Sequence, residues 1–166
     1  MEKIYTSRYA NSSLKSDNVI KVGITRGLPK FGLKYQLAKN VIEFAPEYKI
    51  FHIENREAFG RAYKSQLDLL GREKAMSLLK EAGYGGEKPL VLLCYEDLTC
   101  NDPKKNWCHR TYLAEWIRDN LGIEVEEYPD ENCFAMKEQK KAEKKAEEDM
   151  LRQAAEKELE NQLSLF

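Results

Sequence analysis

The run Pro89, Leu90, Val91, Leu92, Leu93, Cys94 constrains the fold more than any other part of this chain. It is a short, continuous apolar stretch opened by a proline and closed by the polar residues Glu96 and Asp97. A strand with one wet face alternates polar and apolar residues. A run without alternation is the pattern of a strand covered on both faces, which is the habit of central strands in parallel sheets. Parallel neighbours require crossover connections, so the rest of the chain must supply both further strands and the helices that join them.

Candidates for both are present. Lys3 to Thr6 and Val19 to Thr25 read as strands, the second because Ile20, Val22 and Ile24 alternate with other residues. Arg26, Gly27, Leu28 and Pro29 close it in a loop, Phe31 to Ala38 reads as a short helix, and Tyr48 to Ile53 reads as a third strand. Between Glu57 and Ala82 the residues Phe59, Tyr63, Leu67 and Leu70, then Ala75, Leu78, Leu79 and Ala82, recur at helical spacing, with Gly71 as the break between two helices. Cys108 to Leu121 is an amphipathic helix with Tyr112, Leu113, Trp116, Ile117 and Leu121 on its apolar stripe, and Ile123 to Tyr128 is the last strand. The expectation is an α/β domain over residues 1–135, with an open, largely parallel sheet of about five strands and flanking helices.

Composition changes after Met136. The stretch to Glu160 is dominated by Lys, Glu, Ala and Gln and contains neither Gly nor Pro. Its apolar stripe of Ala142, Ala146, Met150, Ala154 and Leu159 is too thin to bury much area, so residues 136–161 are expected to form a charged, solvated helical arm rather than a coiled coil. Across the full 166 residues, 27 Lys and Arg nearly cancel 28 Asp and Glu. No global positive field draws such a chain to nucleic acid, and any contact with DNA has to be local or delivered by a tether. No stretch is long and apolar enough for a membrane span, and the opening residues lack a secretory pattern; a cytoplasmic protein is expected, and with it reduced thiols at Cys94, Cys100, Cys108 and Cys133.

The last five residues, Gln162, Leu163, Ser164, Leu165 and Phe166, put large apolar side chains at the end of a polar arm, where either a partner covers them or the tail folds back to pack Leu165 and Phe166 on the domain. They resemble the short docking peptide by which bacterial polymerases, repair proteins and some phage proteins bind the DNA sliding clamp, and all five positions agree with its preferred form. The resemblance implies that Gln162 bonds at the rim of the clamp's pocket while Leu163, Leu165 and Phe166 enter its apolar cleft. Two or three such anchors, each worth roughly 1.5–3 kcal/mol, support a dissociation constant on the order of micromolar after association costs.

A second resemblance covers about residues 3 to 128. The segments Ile4-Tyr5-Thr6-Ser7, Tyr9-Ala10-Asn11, Ile24-Thr25-Arg26-Gly27-Leu28-Pro29, Leu92-Leu93-Cys94-Tyr95-Glu96, Cys108-His109-Arg110 and Leu113-Ala114-Glu115-Trp116 are similar, in order, to domain-of-unknown-function family 488. That resemblance implies an α/β fold and no particular activity. The loop between Cys94 and Cys108 is longer than in commoner members, adding Cys100 and the pair Lys104 and Lys105.

In an open parallel sheet, ligands bind beyond the carboxyl ends of the strands. Ser7, Arg8, Arg26, Cys94, Glu96, His109 and Arg110 fall there, and His109 and Arg110 at a helix start suggest a phosphate, nucleotide or other anion. Tyr5, Tyr9, Phe31, Tyr35, Tyr95 and above all Trp107 are candidates for stacking on bases, interleaved with Arg8, Lys30, Lys34, Lys104 and Lys105. Three chemistries fit Cys94, Glu96, His109 and Arg110 as catalytic candidates. Cys94 is placed like the nucleophile of a rhodanese-like sulfurtransferase or a cysteine phosphatase, although the loop to Arg110 is long for either. Glu96 near His109 suits acid–base work on a nucleotide, for example at a glycosidic bond. A zinc site from Cys94, Cys100, Cys108 and His109 has enough ligands but lacks C-x-x-C spacing, and adjacent Cys108 and His109 on a helix do not readily face one ion, so no metal and no cofactor is assigned.

The functional expectation is a bacterial or phage accessory protein of DNA replication, repair or modification, with the sliding clamp as partner and DNA or a nucleotide as a possible ligand. Two alternatives stand beside it: a small-molecule enzyme with a rhodanese-like or nucleotide-hydrolysing site, and an inhibitor that blocks the clamp cleft.

Overall fold

A computed structural model describes residues 3–166. Five strands, β1 (Ile4–Arg8), β2 (Ile20–Gly23), β3 (Lys39–Asn40), β4 (Leu90–Cys94) and β5 (Val125–Glu127), form one sheet in the order β3-β2-β4-β1-β5. Every pairing is parallel, so the sheet is an open α/β sheet with β4 at its centre. All five residues of β4 are buried, as the unbroken apolar run requires.

The two faces of β4 are covered by different material. Leu90, Leu92 and Cys94 meet a large core that contains Phe59, Tyr63 and Leu67 of α2 (Arg56–Leu70), Ala75, Leu78 and Leu79 of α3 (Arg72–Glu81), and Leu113, Trp116 and Ile117 of α4 (His109–Leu121). Val91 and Leu93 point the other way, into a smaller cluster with Tyr9, Leu14 and Val19. No long helix covers that second face. A single 3-10 turn, Ser12–Lys15, supplies Leu14, and an irregular segment lays Leu33, Tyr35 and Leu37 against it. Spacing of two residues between those side chains is the signature of extended backbone, which is why the helix expected over Phe31 to Ala38 is not there.

Two further expectations are corrected. Tyr48 to Ile53 is not a strand: Tyr48–Phe51 makes one helical turn, α1, in which Ile50 and Phe51 donate backbone N–H groups to the Glu47 carbonyl. Only Ile50 of that turn is buried, so nothing there calls for strand alternation. The third strand is instead the two-residue β3, which pairs with Val22 and Gly23 and is too short to leave a periodic signal.

Gly71, at a positive φ of 84°, separates α2 from α3, and Gly122, in the left-handed conformation, ends α4. The last element, α5, runs from Phe134 to Leu163 without a buried residue. Ion pairs such as Lys141 to Glu138 and Arg152 to Asp149 lie along its own surface. Among the described residues no helix is long and apolar enough to cross a membrane.

Candidate functional site

The carboxyl ends of β1, β2 and β4 and the start of α4 converge on one locus. Cys94 is the last residue of β4, and Cys108 is the residue before the first turn of α4, with an extended backbone (φ −153°, ψ 156°). Their sulfurs are bonded, tying strand end to helix start across a sequence separation of 14. The expectation of four reduced thiols is therefore corrected for these two. Cys100 and Cys133 are free. The separation of Cys94 from Cys108 in sequence hid the pairing; it is the strand–loop–helix connection that brings these two together.

His109 follows on the same side. Its ring is buried, Nε2 lies 2.8 Å from the Ile24 carbonyl oxygen, and Nδ1 lies 3.5 Å from Cys108 Sγ. Burial, reinforced by the charge of Arg110, lowers its pKa to about 4. The ring is therefore neutral, and because a carbonyl oxygen only accepts, Nε2 carries the proton and Nδ1 presents a lone pair to the sulfurs. The sequence argument that adjacent Cys108 and His109 cannot face one point fails here, because Cys108 precedes the helix with strand-like dihedrals while His109 is already helical.

Arg110 is the largest fully buried side chain in the domain. Its Nη2 and Nε donate to Glu127 Oε1 and Oε2 at 2.7 and 3.2 Å, and its Nη1 donates to the Glu96 carbonyl at 2.7 Å and to Cys94 Sγ at 3.2 Å. These four bonds knit β5, the loop after β4 and α4 together. Arg110 is thus engaged by the protein rather than presented to an anion, and its acidic partner is Glu127. Glu96 places Oε2 3.1 Å from Cys94 Sγ, and burial raises its carboxyl pKa against the opposing pull of Arg110.

The remaining candidates divide. Ser7 is buried and accepts a bond from Asn11 Nδ2. Arg8 pairs with Asp130 at 2.7 Å and donates to the Asn132 carbonyl, fastening β1 to the segment ahead of α5. Trp107 stacks edge-on against Phe59, 5.0 Å between centroids, as part of the core's cover rather than a free platform. Arg26 is exposed, donates from Nε to the Pro46 carbonyl, and borders a cavity of about 260 Å³ shared with Tyr48, Phe51, Tyr95, Glu96 and His109.

A second cavity, about 250 Å³, lies on the other side of Tyr9 and gathers Lys15, Phe31, Lys34 and Tyr35. It brings together part of the expected mixture of cations and aromatic rings, and it includes Lys15, which the sequence reading left out. Lys104 and Lys105 do not reach it, nor do Tyr5 and Trp107. The loop 27–38 lines this cavity in the conformation that covers the sheet, a position that the expected helix had concealed.

At the end of α5, Leu163 and Leu165 are 67% and 82% exposed and Phe166 is fully exposed. Gln162 and Leu163 belong to the last helical turn. No protein-family model, no curated protein and no solved structure matches this chain.

Proposed function

We propose that this chain is an accessory protein of bacterial or phage DNA metabolism that docks on the DNA sliding clamp through Gln162, Leu163, Leu165 and Phe166. The observation that carries the reading is the exposed apolar end of the arm: Leu163, Leu165 and Phe166 stand in solvent at and just beyond the end of a 30-residue helix that has no buried residue. A self-contained fold has no use for such a group, whereas an apolar cleft on a partner does. Only the final turn has to unwind for an extended peptide to bind, and terminal turns open at little cost in free energy.

The α/β domain, which resembles domain-of-unknown-function family 488, is assigned the ligand. Its cavity beside Lys15, Phe31, Lys34 and Tyr35 offers cations for phosphate and rings for a base, which fits a nucleotide or a stretch of single-stranded nucleic acid. Thiol catalysis is not part of the proposal, because Cys94 is fully buried and its sulfur is bonded to Cys108.

The test is calorimetry of the full chain with a purified bacterial sliding clamp, beside the double variant Leu163→Ala, Phe166→Ala. A dissociation constant on the order of micromolar, about 8 kcal/mol, is expected for the wild type. Loss of two anchors removes roughly 3 kcal/mol or more and takes binding out of range. Equal binding by both proteins, or none by either across clamps from several bacterial groups, refutes the docking assignment.

A further inference from the structure

We propose that, when the Cys94–Cys108 pair is reduced, Cys94 Sγ, Cys108 Sγ and His109 Nδ1 bind a zinc ion, whose fourth position is left open. This inference does not depend on clamp docking.

The three donor atoms lie within 4.8 Å of one another and all three residues are buried. Zinc–sulfur bonds of about 2.3 Å and zinc–nitrogen bonds of about 2.0–2.1 Å, at tetrahedral angles, set sulfur and nitrogen donors roughly 3.5 Å apart and two sulfurs about 3.8 Å apart. Cys108 Sγ and His109 Nδ1 already stand at 3.5 Å. The two sulfurs have to part, and the 7.6 Å between the Cα atoms of Cys94 and Cys108 leaves them room to do so by side-chain rotation. Two thiolates with one imidazole is a donor set that zinc accepts, with a water or an added ligand in the fourth position.

The surroundings suit the ion as well as the donors do. A zinc-bound histidine ordinarily donates its other ring N–H to a carbonyl or carboxylate, which fixes tautomer and orientation; here the Ile24 carbonyl takes that N–H at 2.8 Å. Arg110 Nη1 donates to Cys94 Sγ at 3.2 Å, the contact that stabilises a ligating thiolate. Zinc with two thiolates and a neutral imidazole is uncharged, so the ion adds no net charge to this buried site. His109 also borders the 260 Å³ cavity, so that cavity is the side from which the ion enters. Cys100 is not in the group: its sulfur faces the Asp102 carbonyl at 3.8 Å.

The test uses the full chain, reduced under anaerobic conditions with a water-soluble phosphine. One phosphine takes the oxygen of one water to become the phosphine oxide, and the disulfide gains two hydrogens to become two thiols. The protein is then stripped with a chelator and titrated with Co²⁺ as a spectroscopic stand-in, then with Zn²⁺. The expected result is one ion per chain, thiolate-to-cobalt charge-transfer bands, the strong visible bands of tetrahedral Co²⁺, and displacement by Zn²⁺. Cys108→Ser and His109→Ala should each weaken binding by more than the 10–100-fold typical of losing an outer-shell partner, whereas Cys100→Ser should leave affinity and spectrum unchanged. The unreduced chain, which needs no substitution and is folded as described, should take up no Co²⁺ with a thiolate spectrum. A reduced wild type without that spectrum overturns the proposal, as does dependence on Cys100 or the same spectrum from the unreduced chain.

Discussion

Replacing Arg110 with alanine separates the anion-binding role that its place at a helix start suggests from the structural tie that its hydrogen bonds make. Arg110 is 1% exposed and makes four hydrogen bonds, two of them to the Glu127 carboxylate. Breaking a buried ion pair by removing one partner costs about 3–5 kcal/mol, because the other charge stays buried and unpaired. The Glu127 side chain is 43% exposed and can regain water, which moves the figure to the low end, near 3 kcal/mol. The Glu96 carbonyl and the Cys94 sulfur have no such recourse. Urea unfolding followed by far-UV circular dichroism reads this directly: with m in the range of about 1–3 kcal/mol/M, the midpoint should fall by roughly 1–3 M. A cation held in reserve for a ligand is instead a burden on the free protein, and its removal leaves stability unchanged or higher. A loss below about 1 kcal/mol, or any gain, refutes the structural assignment.

Two further outcomes follow from the same region and its neighbour. In the disulfide-bonded form His109 has its pKa lowered to about 4, against an ordinary value near 6.5, so between those values the unfolded chain holds a proton that the folded chain does not. Its contribution is present in full above pH 6.5 and is lost as the pH falls toward 4, on the order of 3 kcal/mol over the window; unfolding midpoints across pH 4.5–7 should slope more steeply for the wild type than for His109→Gln, and equal slopes would sink the argument. Gly23→Ala should lower stability by about 1–3 kcal/mol, because the new methyl would lie 2.5 Å from Asn40 Oδ1 and 2.6 Å from the Tyr9 hydroxyl, both held in place by bonds to Thr25; an unchanged melting temperature would show that this corner yields freely.

How far the sequence could be read depended on where the signal was periodic. The apolar run of β4 and the helical stripes of α2, α3 and α4 repeat over several turns or residues, and the structure has them where the pattern put them. β3, at two residues, and the turn Tyr48–Phe51 are shorter than any period. The segment Leu33, Tyr35, Leu37 did carry a two-residue period, with Lys34 and Gln36 between, but over too few residues to set it apart from a short helix. At the site, the strand-end rule did bring Cys94, Glu96, His109 and Arg110 to one locus. What it could not supply was the pairing. Glu127 is distant in sequence from every residue it serves, and only the neighbouring of β5 and α4 makes it the partner of Arg110. Arg8 and Trp107 show what sequence does not carry: the partners Asp130 and Phe59 that the fold brings to them.

The arm gives the proposed tether its physical sense. A helix of 30 residues at 1.5 Å each is a rod of about 45 Å, long enough to set the α/β domain off the surface of a partner bound at Phe166. Up to Ala146 it carries Lys137, Lys140, Lys141, Lys144 and Lys145 against Glu138 and Glu143, and beyond it Glu147, Glu148, Asp149, Glu156, Glu158 and Glu160 against Arg152 and Lys157. The chain as a whole is near neutral, so free in solution it has no reason to collect on DNA. In the proposed complex, held at one end by a ring that encircles DNA, it would bring the lysines nearest the domain within reach of phosphate at high local concentration, where weak contacts suffice. Charge that is cancelled globally but segregated along a rigid arm is what a tethered protein can use and a freely diffusing one cannot.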